Sequence, residues 1–349
     1  MGNIINSVTS ISTMLSVYAF KSIPVYAADL PPRNMFTLNL DDSIALLGQS
    51  VVTRVPTTLF STTANNLANG WGNTQPSSSN VTTTLQAKGY DHVFNVVTWE
   101  TIGEAQLINT FANILQKQVA NNIFIDAANL VTGSVYTNMA FVQSSSLFNL
   151  TGALNTAGTI GAGLSTGLQS AGTLLDELEI TQQDRYAILC PTAYQSLIAG
   201  IYQTYVLGND RAVVGNGFTD ATMRNAAWPG IDLAGFNVFK HPRINANTAK
   251  IPYGGATSSY SAVTGTATGA LAGWVGAPAG MVLAARTMEL APSPLMAAVS
   301  VIEPTSGFPL TYILAFDTSL PGWRMGCYSL YGVSAANTNA IVPIYSTTT

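Results

Sequence analysis

The sequence predicts an α+β fold, and three features carry the prediction. Residues 102–132 repeat apolar side chains at helical spacing, residues 185–208 pass from a short apolar run directly into a second helical pattern, and β-rich runs occupy 48–59, 81–100 and much of 279–345. Helices and strands in separate blocks, with one strand-to-helix unit between them, belong to mixed-layer architectures. At 349 residues the chain can bury a sizeable core, in one elaborate domain or about two.

Taken in order, "GQSVVTRVPTTL" (48–59) and "VTTTLQAKGYDHVFNVVTWE" (81–100) are rich in β-formers, with a low-charge Gly/Ser/Asn stretch between them. Together they predict a long two-stranded excursion, too thin to hold a core of its own. Thr101 and Glu104 then fit a capping box, in which hydroxyl and carboxylate satisfy orphan amides of a first helical turn. Leu107, Ile108, Phe111, Ile114, Leu115, Val119, Ile123, Ala127, Leu130 and Val131 continue the helical period until Gly133 offers a C-cap. A helix of that span is roughly 46 Å long, a spine lying across a sheet.

Residues 134–160 are small and polar with weak periodicity, and 163–180 predict a shorter helix on Leu164, Leu168, Leu174, Leu175 and Leu178. "RYAILCP" is a buried strand followed at once by a helix that Pro191 can open, since its missing N–H would be unpaired there anyway. "GFNVFKHPRI" (235–244) reads as a strand and 245–278 as a low-complexity loop. The remainder, from 279 onward, alternates strands with a Pro-containing turn at Pro292–Pro294.

Composition narrows the function. Lys and Arg number 13 and Asp and Glu 17, so 9% of residues are charged and the net charge is −4, against a usual ~25% charged. Ser, Thr, Asn and Gln replace them, and such a surface loses less desolvation energy and side-chain entropy when another protein covers it. This favours a subunit over a monomer. The acidic balance argues against sequence-specific nucleic-acid binding. No run of 18 or more uncharged apolar residues predicts a membrane span. "MLSVYAFKSIPVYAADL" is leader-like around Val25-Tyr26-Ala27. However, residues 1–13 hold no Lys or Arg, and Lys21 and Pro24 interrupt the apolar run. It is read as an extended arm that packs on neighbouring copies.

Candidate chemistry resolves into structural roles. "GTIGAGLSTG" (158–167) has the wrong glycine spacing for a dinucleotide turn, and no phosphate-loop, zinc-protease or esterase-elbow motif occurs. Asp176, Glu177 and Glu179 are read as solvated salt-bridge residues, because acid–base pairs need contrasting environments. Asp91 and His92 point to opposite faces of a strand, and His241 has no evident nucleophile beside it. Cys190 and Cys327 are read as small apolar residues, and two histidines with two cysteines make no zinc-type cluster. Sequon triplets start at Asn80 and Asn149, and such triplets are common by chance in a Ser/Thr-rich chain. No catalytic residue, cofactor or metal ligand is expected, and the chain is not read as an enzyme. The run "FDTSLPGWRMGCYSLYGV" (316–333) is read as a turn and a strand start, a hinge where Asp317 and Arg324 pair or reach a neighbour.

The order of "GQSVVTRVP", "VANNIFIDAANLV", "RYAILCPTAYQSLI", "GFNVFKHPRI" and "SGFPLTYILAFDTSLPGWRMGCYSLYGVSAANTNAIVPI" resembles the major capsid protein of tailed double-stranded DNA bacteriophages, the Hong Kong 97-type fold. Within that family it is most similar to short-tailed phage coat proteins, over most of 40–345. The resemblance implies an N-terminal arm (1–47) and an extended hairpin loop (48–100). It implies a peripheral domain (101–140 and 281–322) and a central axial domain (141–280 and 323–349). Its implied function is an icosahedral shell of pentamers and hexamers around phage DNA, contacted non-specifically. Scaffolding, portal and decoration proteins are the implied partners, the virion is the implied location, and host cytoplasm the implied assembly site. No small-molecule substrate is implied. An encapsulin-type container shares the fold, and a secreted surface-layer or adhesive protein is the reading from a different class.

Overall fold

The computed structural model describes residues 15–16, 19–20, 23–24, 26–45, 48–56, 78–95, 104–138, 140–143, 168, 171–191, 193–195, 197, 231–233, 235–244, 269–288, 296–304, 306–317 and 322–347. Strands β1 (Thr37–Ala45), β2 (Ser50–Pro56), β3 (Ser78–Thr84) and β4 (Gln86–Asn95) precede the long helix α1 (Glu104–Leu130). After it come β5 (Ala140–Gln143), β6 (Tyr186–Leu189), β7 (Ile231–Leu233), β8 (Phe236–Lys240) and β9 (Gly269–Gly276). The chain finishes in β10 (Met281–Met288), β11 (Met296–Ile302), β12 (Pro309–Asp317), β13 (Gly322–Ala335) and β14 (Ile341–Thr347).

Two six-stranded sheets organise these strands. The first runs β1-β10-β13-β12-β11, and β4 pairs antiparallel along β13 from Asn95↔Gly322 to Gln86↔Tyr331. Strand β13 is long enough to hold β12 over its first half and β10 over its second, while β4 occupies its opposite edge. The second sheet runs β5-β14-β9-β6-β8-β7. A two-stranded ribbon, β2–β3, completes the set.

After α1 has carried the chain from the first sheet to the second, it crosses between them twice more, from β9 to β10 and from β13 to β14. The two crossings are bonded to each other: the amides of Ala277, Ala336 and Asn337 donate to the carbonyls of Ala340, Gly280 and Ala279 at 2.9–3.0 Å. Tyr136, just beyond α1, donates its hydroxyl to the Gly280 carbonyl at 3.0 Å and pins the junction.

Several expectations change. The loop expected over 245–278 contains β9, the strand between β14 and β6. Its Gly/Ala composition hides it, because a strand flanked by sheet on both edges needs room more than β-branching: a Cβ on Gly273 would come within 2.2 Å of the Ile188 carbonyl. The arm expected over 1–47 contains β1, paired parallel with β10. Leu15, Ala19, Tyr26, Leu30, Met35 and Phe36 belong to the chain's own core and are not left for a neighbour. Tyr26, the middle residue of the leader-like triplet, is fully buried in that core. Of the expected excursion, β2 and β3 form the ribbon, but 86–95 joins the first sheet. The hinge between two parts expected within 316–333 gives way to pairing inside one sheet, where Asp317 on β12 lies opposite Gly322 on β13. Residues 323–335, grouped with 141–280 in the sequence reading, are bonded into the sheet of 281–317, and only β14 enters the second. The weakly periodic stretch 134–160 supplies β5 near its start.

Candidate functional site

Helix α1 is the element that both sheets share. Leu115, Val119, Ile123 and Ala127 are buried as expected from sequence, joined by Ala120, Phe124 and Ala128, whereas Ile114, expected on the same apolar face, is 45% exposed. Toward the second sheet, the Phe124 ring lies 3.6 Å from that of His241 and 5.7 Å from that of Trp274, centroid to centroid. Trp274 is fully buried, and burying a side chain of that class contributes at least ~3 kcal/mol.

Toward the first sheet the same helix presents polar groups. Asp126 accepts from Tyr331 at 2.5 Å and from Lys88 at 2.8 Å, and Asn122 accepts from Tyr90 at 2.8 Å. Gln116 bonds to the Tyr312 hydroxyl. These partners come from β4, β12 and β13, so polar side chains of α1 tie three strands to it. Lys88 also sits 5.8 Å above the Tyr331 ring, and its pair with Asp126 is half-buried. Burial, and next the Asp126 charge, hold the Tyr331 phenol well above its ordinary pKa, so it stays a donor at neutral pH.

The opposite face of this sheet carries the ribbon. Leu85 is fully buried against Ala284 and Leu330 at the bend between β3 and β4, with Val51, Ala87 and Met288 around them. Farther along the same face, Arg324 pairs with Asp91 at 3.2 Å, a diagonal contact between β13 and β4 in which both groups are partly exposed. A Cβ on Gly89 would meet the Cys327 carbonyl at 2.2 Å, so β4 can run this close to β13 only with glycine there.

The four residues nominated from sequence meet different outcomes. Thr101 lies outside the described residues, and Glu104 opens α1 with its side chain outside them. Asp317 ends β12, its side chain likewise outside the described set, and Arg324 lies on β13 beside Asp91. The structure thus brings Arg324 to Asp91, which the sequence reading weighed only as a partner for His92 and rejected in that role. The glycine run at 158–167 and the Asn149 sequon also lie outside the described residues.

Asp176 behaves as expected of a salt-bridge residue. It is exposed and pairs with buried Arg185 at 2.8 Å, and the Arg185 hydrogen bond holds its carboxyl below the ordinary 3.8. Arg185 also donates to the carbonyls of Ile180 and Thr181 and so closes the end of the preceding helical segment. Cys190 has a role the sequence did not reveal: its Sγ accepts the Ala193 amide at 3.3 Å, capping the turn that Pro191 begins. Cys327 is fully buried, and burial raises its thiol far above the reactive range. Among the described residues no three His, Cys, Asp or Glu side chains gather as a metal site. No described helix is long and apolar enough to cross a membrane. What this arrangement can do is hold a sheet, a helix and a projecting ribbon in fixed relation.

No protein-family model and no curated protein matches the chain. Solved structures do. The capsid of the cyanophage P-SCSP1u is 14% identical, with 90% of this chain and 88% of that chain superposed at a TM-score of 0.53. The capsid of Ralstonia phage GP4 is 8% identical over 91% and 88% at 0.47, and that of cyanophage Pam1 is 12% identical over 91% and 89% at 0.44. Of these three, the cyanophage P-SCSP1u chain shares the fold at a TM-score above 0.5. The α+β fold expected from sequence is the fold the chain has, and a phage capsid chain shares it.

Proposed function

We propose that the chain is the structural subunit of an icosahedral capsid, self-assembling into a shell around the double-stranded DNA of a tailed phage. The observation that carries this reading is the superposition of 90% of the chain on the capsid chain of a cyanophage at a TM-score of 0.53. The sparsely charged composition supports it, because 9% charged residues suit a surface that neighbours cover. In this reading the protein is not an enzyme. The sheet of β1, β4 and β10–β13 with α1 forms the peripheral part, the sheet of β5–β9 and β14 the axial part, and β2–β3 the base of the extended loop. Pentamers and hexamers of the chain form the virion wall, built in the host cytoplasm with scaffolding, portal and decoration proteins. The fold does not favour a surface-layer or adhesive protein.

Expression of the full chain, with a scaffolding partner where needed, followed by sedimentation and electron microscopy, tests the reading. Closed shells tens of nanometres across are expected. A chain that stays monomeric under all assembly conditions would sink it.

A further inference from the structure

The seam between ribbon and first sheet contains a buried charge. Arg286, on β10, is 7% exposed, and its neighbours on the same strand face, Ala284 and Met288, pack in the cluster under Leu85. Its guanidinium donates through Nη1 to the Asn39 carbonyl at 2.6 Å and the Ala285 carbonyl at 2.8 Å, and through Nη2 to Asn39 Oδ1 at 2.8 Å. A guanidinium has donors only, so it dictates how the Asn39 amide is turned: Oδ1 must face Arg286, leaving Nδ2 to face the ribbon. There Nδ2 donates to Thr53 Oγ1 at 2.6 Å, and Thr53 is 8% exposed.

The ribbon face around this bond is consistent with a seated surface. Thr53 shares that face with Val55 and Thr83, both fully buried, whereas Val52 on the other face is 57% exposed. The apolar contacts at Leu85 fix where the ribbon leaves the sheet but not its tilt, because apolar packing has no preferred direction. A hydrogen-bond relay with a defined donor and acceptor at each step does have one.

We propose that Arg286 and Asn39 are positioning residues that set the tilt of the β2–β3 ribbon by presenting an oriented amide to Thr53. A neighbouring copy in a shell would then meet a ribbon held at one angle before assembly begins; this consequence rests on the capsid reading, the clamp itself does not. Thr53→Val keeps the shape of the side chain and leaves Asn39 Nδ2 without its acceptor, while Thr53→Ser restores the acceptor.

Hydrogen exchange on the unassembled full chain reads the clamp directly. Thr53→Val is expected to speed exchange in 50–56 and 78–84 by about tenfold or more. Peptides of β12 and β13 should keep wild-type rates, and Thr53→Ser should stay close to wild type throughout. Unchanged ribbon exchange in Thr53→Val, a Thr53→Ser variant indistinguishable from it, or acceleration spread evenly over β12 and β13 would overturn the clamp. Arg286→Met supplies the second arm and should reproduce the Thr53→Val pattern in the ribbon; wild-type exchange there would also overturn it. Absence of shells from the wild-type chain counts against the capsid reading alone, since the exchange pattern is measured without them.

Discussion

The two six-stranded sheets are built by opposite means. In the first, β11, β12 and β13 follow one another as antiparallel neighbours, and the helix that covers them is tied down by side-chain hydrogen bonds to Asp126, Asn122 and Gln116. In the second, only β7 and β8 are paired sequence neighbours; Ala140 on β5 meets Ile344 on β14, and Tyr186 on β6 meets Gly276 on β9. Its centre is apolar: β6 is buried along its whole length, and Trp274 on β9 stacks on Phe124. Local pairing closes short loops and costs little chain entropy, whereas most of the second sheet must close loops of scores of residues before its bonds repay them. The β11–β13 meander of the first sheet can therefore organise early, while β1 and β4 of that sheet and the centre of the second wait on distant partners.

The largest test removes the apolar tie between the second sheet and the helix. Trp274→Ala should cost about 3–5 kcal/mol in denaturant unfolding. Exchange should rise first in β6, β9 and β14, with β12 and β13 still protected; simultaneous loss in both sheets would mean that they unfold as one unit. Tyr331→Phe removes a charge-assisted bond to Asp126 from the first sheet and should cost about 1.5–3 kcal/mol. The comparison would fail if this conservative change proved more damaging than Trp274→Ala.

Arg324→Ala breaks a partly exposed pair and should shift unfolding by less than about 1 kcal/mol. If Arg324 also reaches a neighbouring copy in the proposed shell, particle yield should nevertheless fall; normal particles from that variant would refute such a contact. The smallest effect concerns acid. Because the Arg185 hydrogen bond holds the Asp176 carboxyl below 3.8, its contribution is complete above that value and disappears as pH falls through the lowered pKa. The melting-temperature gap between wild type and Asp176→Asn should therefore be present at neutral pH and close in strong acid. A gap unchanged by acid would place the effect elsewhere.

What was readable in advance follows the same division. The spine helix was expected over 102–132 and is described over 104–130, because its 3.6-residue period needs no knowledge of its partners. Strands β6 and β8 and the meander from β11 to β13 were also legible, as short apolar runs between turn residues. Strand β9 was not, since "GALAGWVG" has no alternation and a single β-branched residue, Val275, and its glycines make sense only once the Ile188 carbonyl is seen against Gly273. Strand β1 was assigned to an arm because its parallel partner lies more than 240 residues away. Of the site, Thr101 and the side chain of Glu104 fall outside the described residues. Asp126, Arg286 and Asn39 carried no signal, since each acts on a residue remote in sequence.

By itself the sequence determined the mixed fold class, the long helix, the local strands and a sparsely charged surface suited to burial between subunits. Periodicity, capping and composition are local properties, readable without contacts. Tertiary structure alone decided that β4 leaves the excursion to join β13 and that the N-terminal segment fills its own core. It also decided that the crossing between sheets lies at 276–281 and 335–341, and that Arg286 turns the Asn39 amide toward the ribbon. Strand partnership and amide orientation are set by which distant groups meet, and a chain of few charges and many small residues leaves that choice to packing.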